Sequence, residues 1–327
     1  MSRWVAITGC NGYIGGQTAI HFRDLGFQVL GCDRNELLPW LRDVVSVFVQ
    51  SDFTGEIFLN TIRDLECEAV IHIAGTSLVG PSVLDPGIYY HNNVGETAML
   101  MRGLYMRGWE GPVVYSSSAA TYGNPMSTVP LKEEQAGHPC SPYGWSKWMS
   151  EQVLEDCARA YGLSPVGLRY FNACGADTGA RHGQVKNATH IIARVMESLI
   201  NDQTFTLNGQ DFATPDGTCV RDYVHVVDLA QAHADAIAVA LPGRFQAFNL
   251  GTGQGYSNRE IIDMAQQVTG QTLNINVGPK REGDPAVLVA DSSRFQRITP
   301  WRPKHSGLEN IIESSWRWYN SSRYHSL

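Results

Sequence analysis

The chain has no run of 18 uninterrupted apolar residues, no Cys-x-x-Cys pair, no internal repeat and no low-complexity tract. The first absence excludes a transmembrane helix. The opening Met-Ser-Arg-Trp-Val passes into a strand-like segment without a secretory leader pattern, so we expect a cytoplasmic protein with no membrane partner. The seven cysteines (Cys10, Cys32, Cys67, Cys140, Cys157, Cys174, Cys219) are odd in number, scattered and without metal-ligand spacing. They suit reduced thiols better than a disulfide framework or a bound metal. Charge is also sparse. Charged residues make up 17% of the chain and the net charge is −7, which argues against a broad nucleic-acid-binding face while permitting a local basic pocket. What is present is apolar material: 43% of 327 residues, enough for a core and too much for a mainly disordered chain. That length suggests two domains or one large α/β unit.

Up to about residue 170, short apolar runs alternate with longer amphipathic ones. Strands are expected at 4–8, 28–32, 44–49, 69–73, 113–115 and 164–168, and helices at 14–25, 57–65, 94–107 and 142–160. This alternation implies right-handed crossovers and a parallel sheet. Near-continuous runs such as Val-Ile-His-Ile-Ala at 70–74 suit strands covered on both faces. Beyond about Asn172 the texture changes. Residues 175–186, rich in glycine and charge, read as a loop. Helices are expected at 191–200, 227–240, 257–269 and 308–319, with strand-like segments at 205–207 and 247–250. Ser257 and Glu260 form a capping-box pattern, and Trp316 and Tyr319 are spaced to share a helix face.

Two motifs carry chemistry. Gly9, Gly12 and Gly15 fall between the first strand and the first helix. Such a turn lets backbone approach a pyrophosphate, and the helix start supplies amide donors and positive dipole. Asp33 closes the second strand, where an acid accepts the adenosine-ribose hydroxyls and repels a 2′-phosphate, favouring NAD over NADP; Arg34 beside it works against that preference. In the second motif Tyr143 and Lys147 lie one turn apart on a helix, and Ser118 ends the preceding strand. Lys147 can lower the Tyr143 phenol pKa, while Ser118 can bond the same substrate hydroxyl.

With these motifs the sequence resembles the extended short-chain dehydrogenase/reductases and, within them, the UDP-glucose 4-epimerase family. The resemblance runs through Ile7 to Gly15, VIHIAGTSLVG (70–80), YYHNNV (89–94), YSSSAATYG (115–123) and Pro142 to Lys147. It continues through LRYFNACG (168–175), DGTCVRDYVHVVD (216–228), NLGTGQG (249–255), REGD (281–284) and WRW (316–318). It implies a doubly wound parallel α/β sheet with a smaller, interleaved C-terminal substrate-binding part. Residues 1–172, with segments near 225–252, would form the NAD-binding Rossmann domain, and 173–327 mainly the UDP-sugar-binding domain.

Position by position, the resemblance implies that Tyr13 and Ile14 place amides at the NAD pyrophosphate and that Asp33 holds a ribose. Asp52 and Phe53 would bracket adenine, Ala74 and Gly75 would pass under the cofactor, and Asn93 and Phe171 would also contact it. Ser77 replaces a lysine that many relatives place near the NAD ribose. Asn172, Arg221, Arg281 and Asp284 would bind the UDP-hexose, and the uridine contact falls to His190 in preference to Asn187. Arginine suits a pyrophosphate because its planar fork bonds two oxygens. His72 and His225 read as core residues. Tyr143, Lys147 and Ser118 would be catalytic in reversible epimerisation of UDP-glucose and UDP-galactose at carbon 4, through a 4-keto sugar. The pathway would be galactose metabolism or supply of sugar nucleotides for polysaccharide. A UDP-N-acetylglucosamine 4-epimerase is the alternative, because Leu288 stands where relatives gate the carbon-2 substituent. Sugar-nucleotide dehydratases and UDP-glucuronate decarboxylases need a carboxylate after Ser118, where this chain has Ala119 and Ala120. A homodimer is expected, through the apolar runs at 94–104 and 148–154.

Overall fold

The computed structural model describes residues 2–125, 130–186, 188–280 and 284–326. Six strands, β1 (Trp4–Thr8), β2 (Gln28–Asp33), β3 (Val47–Gln50), β4 (Ala69–His72), β5 (Pro112–Ser118) and β6 (Ser164–Tyr170), join strand Gln246–Leu250 in one parallel sheet. Their spatial order is Gln246–Leu250, β6, β5, β4, β1, β2, β3. Val5, Ile7, Val70, Ile71, Val113 and Val114 of β1, β4 and β5 are fully buried because helices cover both faces. On one face, helix Tyr13–Asp24 packs against Val226–Ile237 through Ala19, Ile20, Leu229, Ala232 and Ala236. On the other, helices Glu56–Asp64, Glu96–Tyr105 and Pro142–Tyr161 bury Phe58, Ile62, Leu100, Met101 and Leu154. The sheet is doubly wound, and its strand order reverses between β1 and β4. Above that point the strand ends open a crevice, the place where such sheets take ligands.

The remaining chain forms a second core around helices Ile191–Ile200, Asn258–Thr269 and Leu308–Tyr319. Strand Val220–His225 runs parallel to Asn172–Cys174 and Val287–Leu288, and antiparallel to Gly255–Ser257. Ser257 and Glu260 close the capping box reciprocally at 3.1 and 2.6 Å. In the closing helix Trp318 and Tyr319 are buried, whereas Trp316 is half-buried.

Several boundaries shift from the sequence reading. Residues 44 and 45 belong to the turn before β3, not to the strand. The long helix before β5 begins earlier, at Pro86–Tyr89, and passes through a π-turn over Tyr90–Gly95 before Glu96–Tyr105. The segment 175–186 is unpaired with any strand, as expected of a loop, yet Asp177 and His182 are almost wholly buried. All seven cysteines are free. Among the described residues no helix is long and apolar enough to cross a membrane, and no cluster of ligands suits a metal ion.

Candidate active site

The glycine turn is shaped by close approach. Gly9 has φ +68°, and a Cβ there would stand 2.9 Å from Ala74 backbone atoms; one on Gly15 would come within 2.0 Å of the Gly9 carbonyl oxygen. Gly12 precedes helix Tyr13–Asp24 without a side-chain cap, so the first amides of that helix are left for an anion. Thr8 fixes the facing loop: its hydroxyl oxygen accepts from the amides of Ile73 and Ala74, both at 3.1 Å, and lies 2.8 Å from His72 Nδ1. Burial drives the His72 pKa down to about 3. The neutral ring accepts from Thr8 and donates from Nε2 to Thr97 at 3.0 Å.

Asp33 sits beside this turn, its carboxylate accepting from the Asn11 and Asn35 amides at 3.2 and 3.0 Å. Arg34 turns away from it. Its guanidinium is held between Asp52 and Glu96, the latter at 2.8 Å. Asp52 is therefore an ion-pair partner in this structure. Phe53 is 6% exposed and packs on His72 with ring centroids 4.7 Å apart. Asn93, expected at the cofactor, is buried: its amide accepts from Thr76 N and donates to Thr76 O and Ser146 Oγ, all within 2.9 Å. What it does here is hold the loop carrying Gly75, whose α-carbon leaves room for no side chain beside Asn93. Ser77 is exposed on the same loop.

Helix Pro142–Tyr161 begins with Ser141 as its N-cap, accepting from Gly144 N at 3.1 Å. That start sets Tyr143 and Lys147 one turn apart facing the end of β5. Lys147 Nζ donates to the Ser116 carbonyl at 2.7 Å and stands 4.7 Å above the Tyr115 ring. Burial lowers its pKa to about 7, with Glu151 acting the other way. Tyr143 lies edge-on to Tyr89 at 6.3 Å. Burial raises its phenol pKa, and a hydrogen bond with Ser118 opposes the rise. The structure thus brings Tyr143, Ser118 and Lys147 together at the sheet's carboxyl edge, next to the glycine turn.

Across the crevice, Asn172 donates to the Asp222 carbonyl at 3.0 Å, and Arg221 reaches Asp284 at 3.3 Å. Arg221 is 9% exposed, so its charge is aimed inward and not at bulk water. His190 precedes helix Ile191–Ile200. A cavity of about 40 Å³ is lined by Tyr13, Asn172, His190, Tyr223 and Tyr319 among others. Phe171 packs with Tyr122 and Leu131, a cluster that Leu288 also touches. Arg281 and Asn187 lie outside the described residues.

Sequence reasoning missed several contributors. Glu151, one further turn along the Tyr143 and Lys147 face, is 1% exposed and takes a two-pronged bond from Arg169 at 2.9 and 2.6 Å, plus one from Ser117. The i, i+4, i+8 spacing was the available signal. His182 had none: it links segment 175–186 to the Gly12 and Tyr13 carbonyls at 3.3 and 3.1 Å, while Trp40 Nε1 donates to its Nδ1.

Residues 5–251 match the NAD dependent epimerase/dehydratase family. The UDP-glucose 4-epimerase of Halalkalibacterium halodurans is 39% identical over 321 residues, covering 96% of this chain and 95% of that protein. The crystal structure of UDP-glucose 4-epimerase from Brucella ovis in complex with NAD superposes with a TM-score of 0.89 at 36% identity, covering 97% of this chain and 98% of that one. That from Bifidobacterium longum in complex with NAD+ and UDP gives 0.89 at 30% identity, covering 98% and 99%.

Proposed function

Because this chain belongs to the NAD dependent epimerase/dehydratase family, we propose that it interconverts UDP-glucose and UDP-galactose at carbon 4 with NAD as bound cofactor. The observation that carries this reading is Tyr143 set against Ser118 and Lys147 beside the glycine turn. The turn fits a dinucleotide: side chains are excluded at Gly9 and Gly15, and the uncapped helix start offers amides to a pyrophosphate. Asp33 would hold the ribose, with Tyr13, Ile14 and Gly75 along the cofactor. When bound, NAD would supply the hydride acceptor and donor for carbon 4 of the sugar.

The chain's own residues handle the proton and the grip. A tyrosine ionises near pH 10, so a base acting near 7 needs about 3 units, roughly 4 kcal/mol, of stabilisation for its phenolate. Burial works against this at Tyr143. The ammonium of Lys147 and the Ser118 hydroxyl must therefore supply it. The phenolate takes the proton of the 4-hydroxyl, Ser118 orients that hydroxyl, and the proton is given back as the other epimer forms. Arg221 and Asp284, with Arg281, would hold the nucleotide while the keto sugar turns, so the intermediate stays tethered. A dehydratase would need a carboxylate where Ala119 and Ala120 stand.

The test is conversion of UDP-galactose to UDP-glucose by the purified protein; no conversion with NAD bound overturns the reading. Leu288 lies in register with Arg221 and is intermediate in bulk between residues that admit and exclude N-acetyl groups. We expect UDP-galactose to be turned over faster than UDP-N-acetylgalactosamine, and the ratio of the two rates measures this. A cytoplasmic homodimer completes the reading. Met99, Trp145 and Met149 are 51%, 38% and 40% exposed on the adjoining helices Glu96–Tyr105 and Pro142–Tyr161, an apolar patch suited to a second copy. A sedimentation mass of one chain would refute that.

A further inference from the structure

The buried hydroxyl of Tyr319 has no hydrogen-bond partner, although the residue is only 2% exposed. Tyr319 ends the closing helix and lines the same cavity as Asn172, His190 and Tyr223. Four donors around it are committed to protein. Tyr13 donates to the Gly175 carbonyl at 2.6 Å, Ser315 to Ile311 O at 2.8 Å, Cys174 to Val224 O at 3.3 Å and Asn172 to Asp222 O at 3.0 Å. The nearby carboxylate of Glu197 is taken by Tyr324, whose hydroxyl lies 3.1 Å away and whose ring packs on Tyr319 at 4.5 Å. An apolar ring would fill the same space without the unpaired oxygen, so the hydroxyl has no role in packing.

A cavity of about 40 Å³ has room for a water or one oxygen-bearing group beside that hydroxyl. It borders the wall where Asn172 and His190 are expected to meet the substrate. We propose that the Tyr319 hydroxyl is a nucleotide-binding group, donating a hydrogen bond to an oxygen of the nucleoside diphosphate portion of the substrate, directly or across one water in this cavity. This rests on the UDP-sugar reading above and adds to it a residue from the far end of the chain. Tyr319 is a specificity residue here, since it meets the nucleotide handle and not the reacting carbon.

The test is Tyr319→Phe, which removes one oxygen and keeps the ring. UDP binding is measured by calorimetry on NAD-loaded wild type and variant, alongside kcat and KM for UDP-galactose and the bound NAD content. Loss of one neutral hydrogen bond weakens binding by roughly five- to tenfold. We expect UDP affinity to fall and KM to rise by that factor, with kcat within twofold and NAD content unchanged. UDP affinity and KM within twofold of wild type would overturn the assignment, whatever the change in thermal stability. A fall in NAD content with UDP affinity intact would overturn it equally. Failure of wild type itself to bind UDP would instead remove the underlying reading, and this proposal with it.

Discussion

Replacing Lys147 with Met should abolish turnover and yet stabilise the fold. Lys147 is 4% exposed, and burial lowers its pKa to about 7, whereas an unfolded lysine titrates near 10.4. Between those values the unfolded chain carries a proton that the folded chain has released, so stability rises with pH across that window and the full penalty applies below it. At 1.36 kcal/mol per unit, the buried amine costs about 4 kcal/mol at pH 7 and about 2 kcal/mol at pH 9. Methionine fills the same volume without that cost but forfeits the bond to the Ser116 carbonyl, about 1 kcal/mol. The net expectation is a variant about 3 kcal/mol more stable than wild type at pH 7, with the advantage shrinking by about 2 kcal/mol at pH 9. Urea unfolding of both proteins at the two pH values measures it. An advantage independent of pH, or a variant less stable at pH 7, would show that the ammonium is already solvated or paired in the fold.

Tyr143→Phe should lower kcat by at least roughly a thousandfold while leaving bound NAD in place, and near-normal turnover would remove Tyr143 as the base. Asp33→Ala should weaken NAD binding about tenfold or more, since a charged acceptor is lost. NADP should fail to substitute in that variant because Arg34 is already held by Asp52 and Glu96; equal turnover with NADP would mean that Arg34 is available. Glu151→Gln leaves the Arg169 guanidinium buried without its counter-charge, so unfolding stability should drop by about 3–5 kcal/mol. Adding Arg169→Met should restore most of it, and no restoration would place the defect elsewhere in the network.

The sheet is legible from the sequence because each strand carries its own signal. Val5 to Ile7, Val70 and Ile71, and Val113 and Val114 are short apolar runs, separated by segments with a helical stripe. The glycine turn and the Tyr143–Lys147 pair are legible for a related reason, since local spacing determines which groups a helix face or a tight turn can present. Boundaries blur where tertiary contacts decide them. The helix expected from residue 94 starts at Pro86 because Tyr89 is buried edge-on to Tyr143, and a π-turn absorbs the offset before Glu96. Nor does the sequence announce that Phe53 packs on His72 or that Asn93 bonds Thr76 and Ser146.

Segment 175–186 shows most clearly what composition hides. Its glycines and charges read as solvated loop, yet its polar groups pair with residues more than a hundred positions away. Gln17 reaches Asp177, Arg181 clasps Asp24, and His182 bonds the carbonyls of Gly12 and Tyr13. Each bond needs one particular partner and leaves no periodicity in the chain, so nothing in the sequence announces it. Yet these contacts tie the second core to helix Tyr13–Asp24 and its first turn. Burial keeps His182 neutral, with its pKa lowered to about 4, so it accepts from Trp40 and donates to the turn at the same time. Part of this junction is therefore made of neutral, part-buried hydrogen bonds. Those do not weaken with salt as surface ion pairs such as Arg181–Asp24 do.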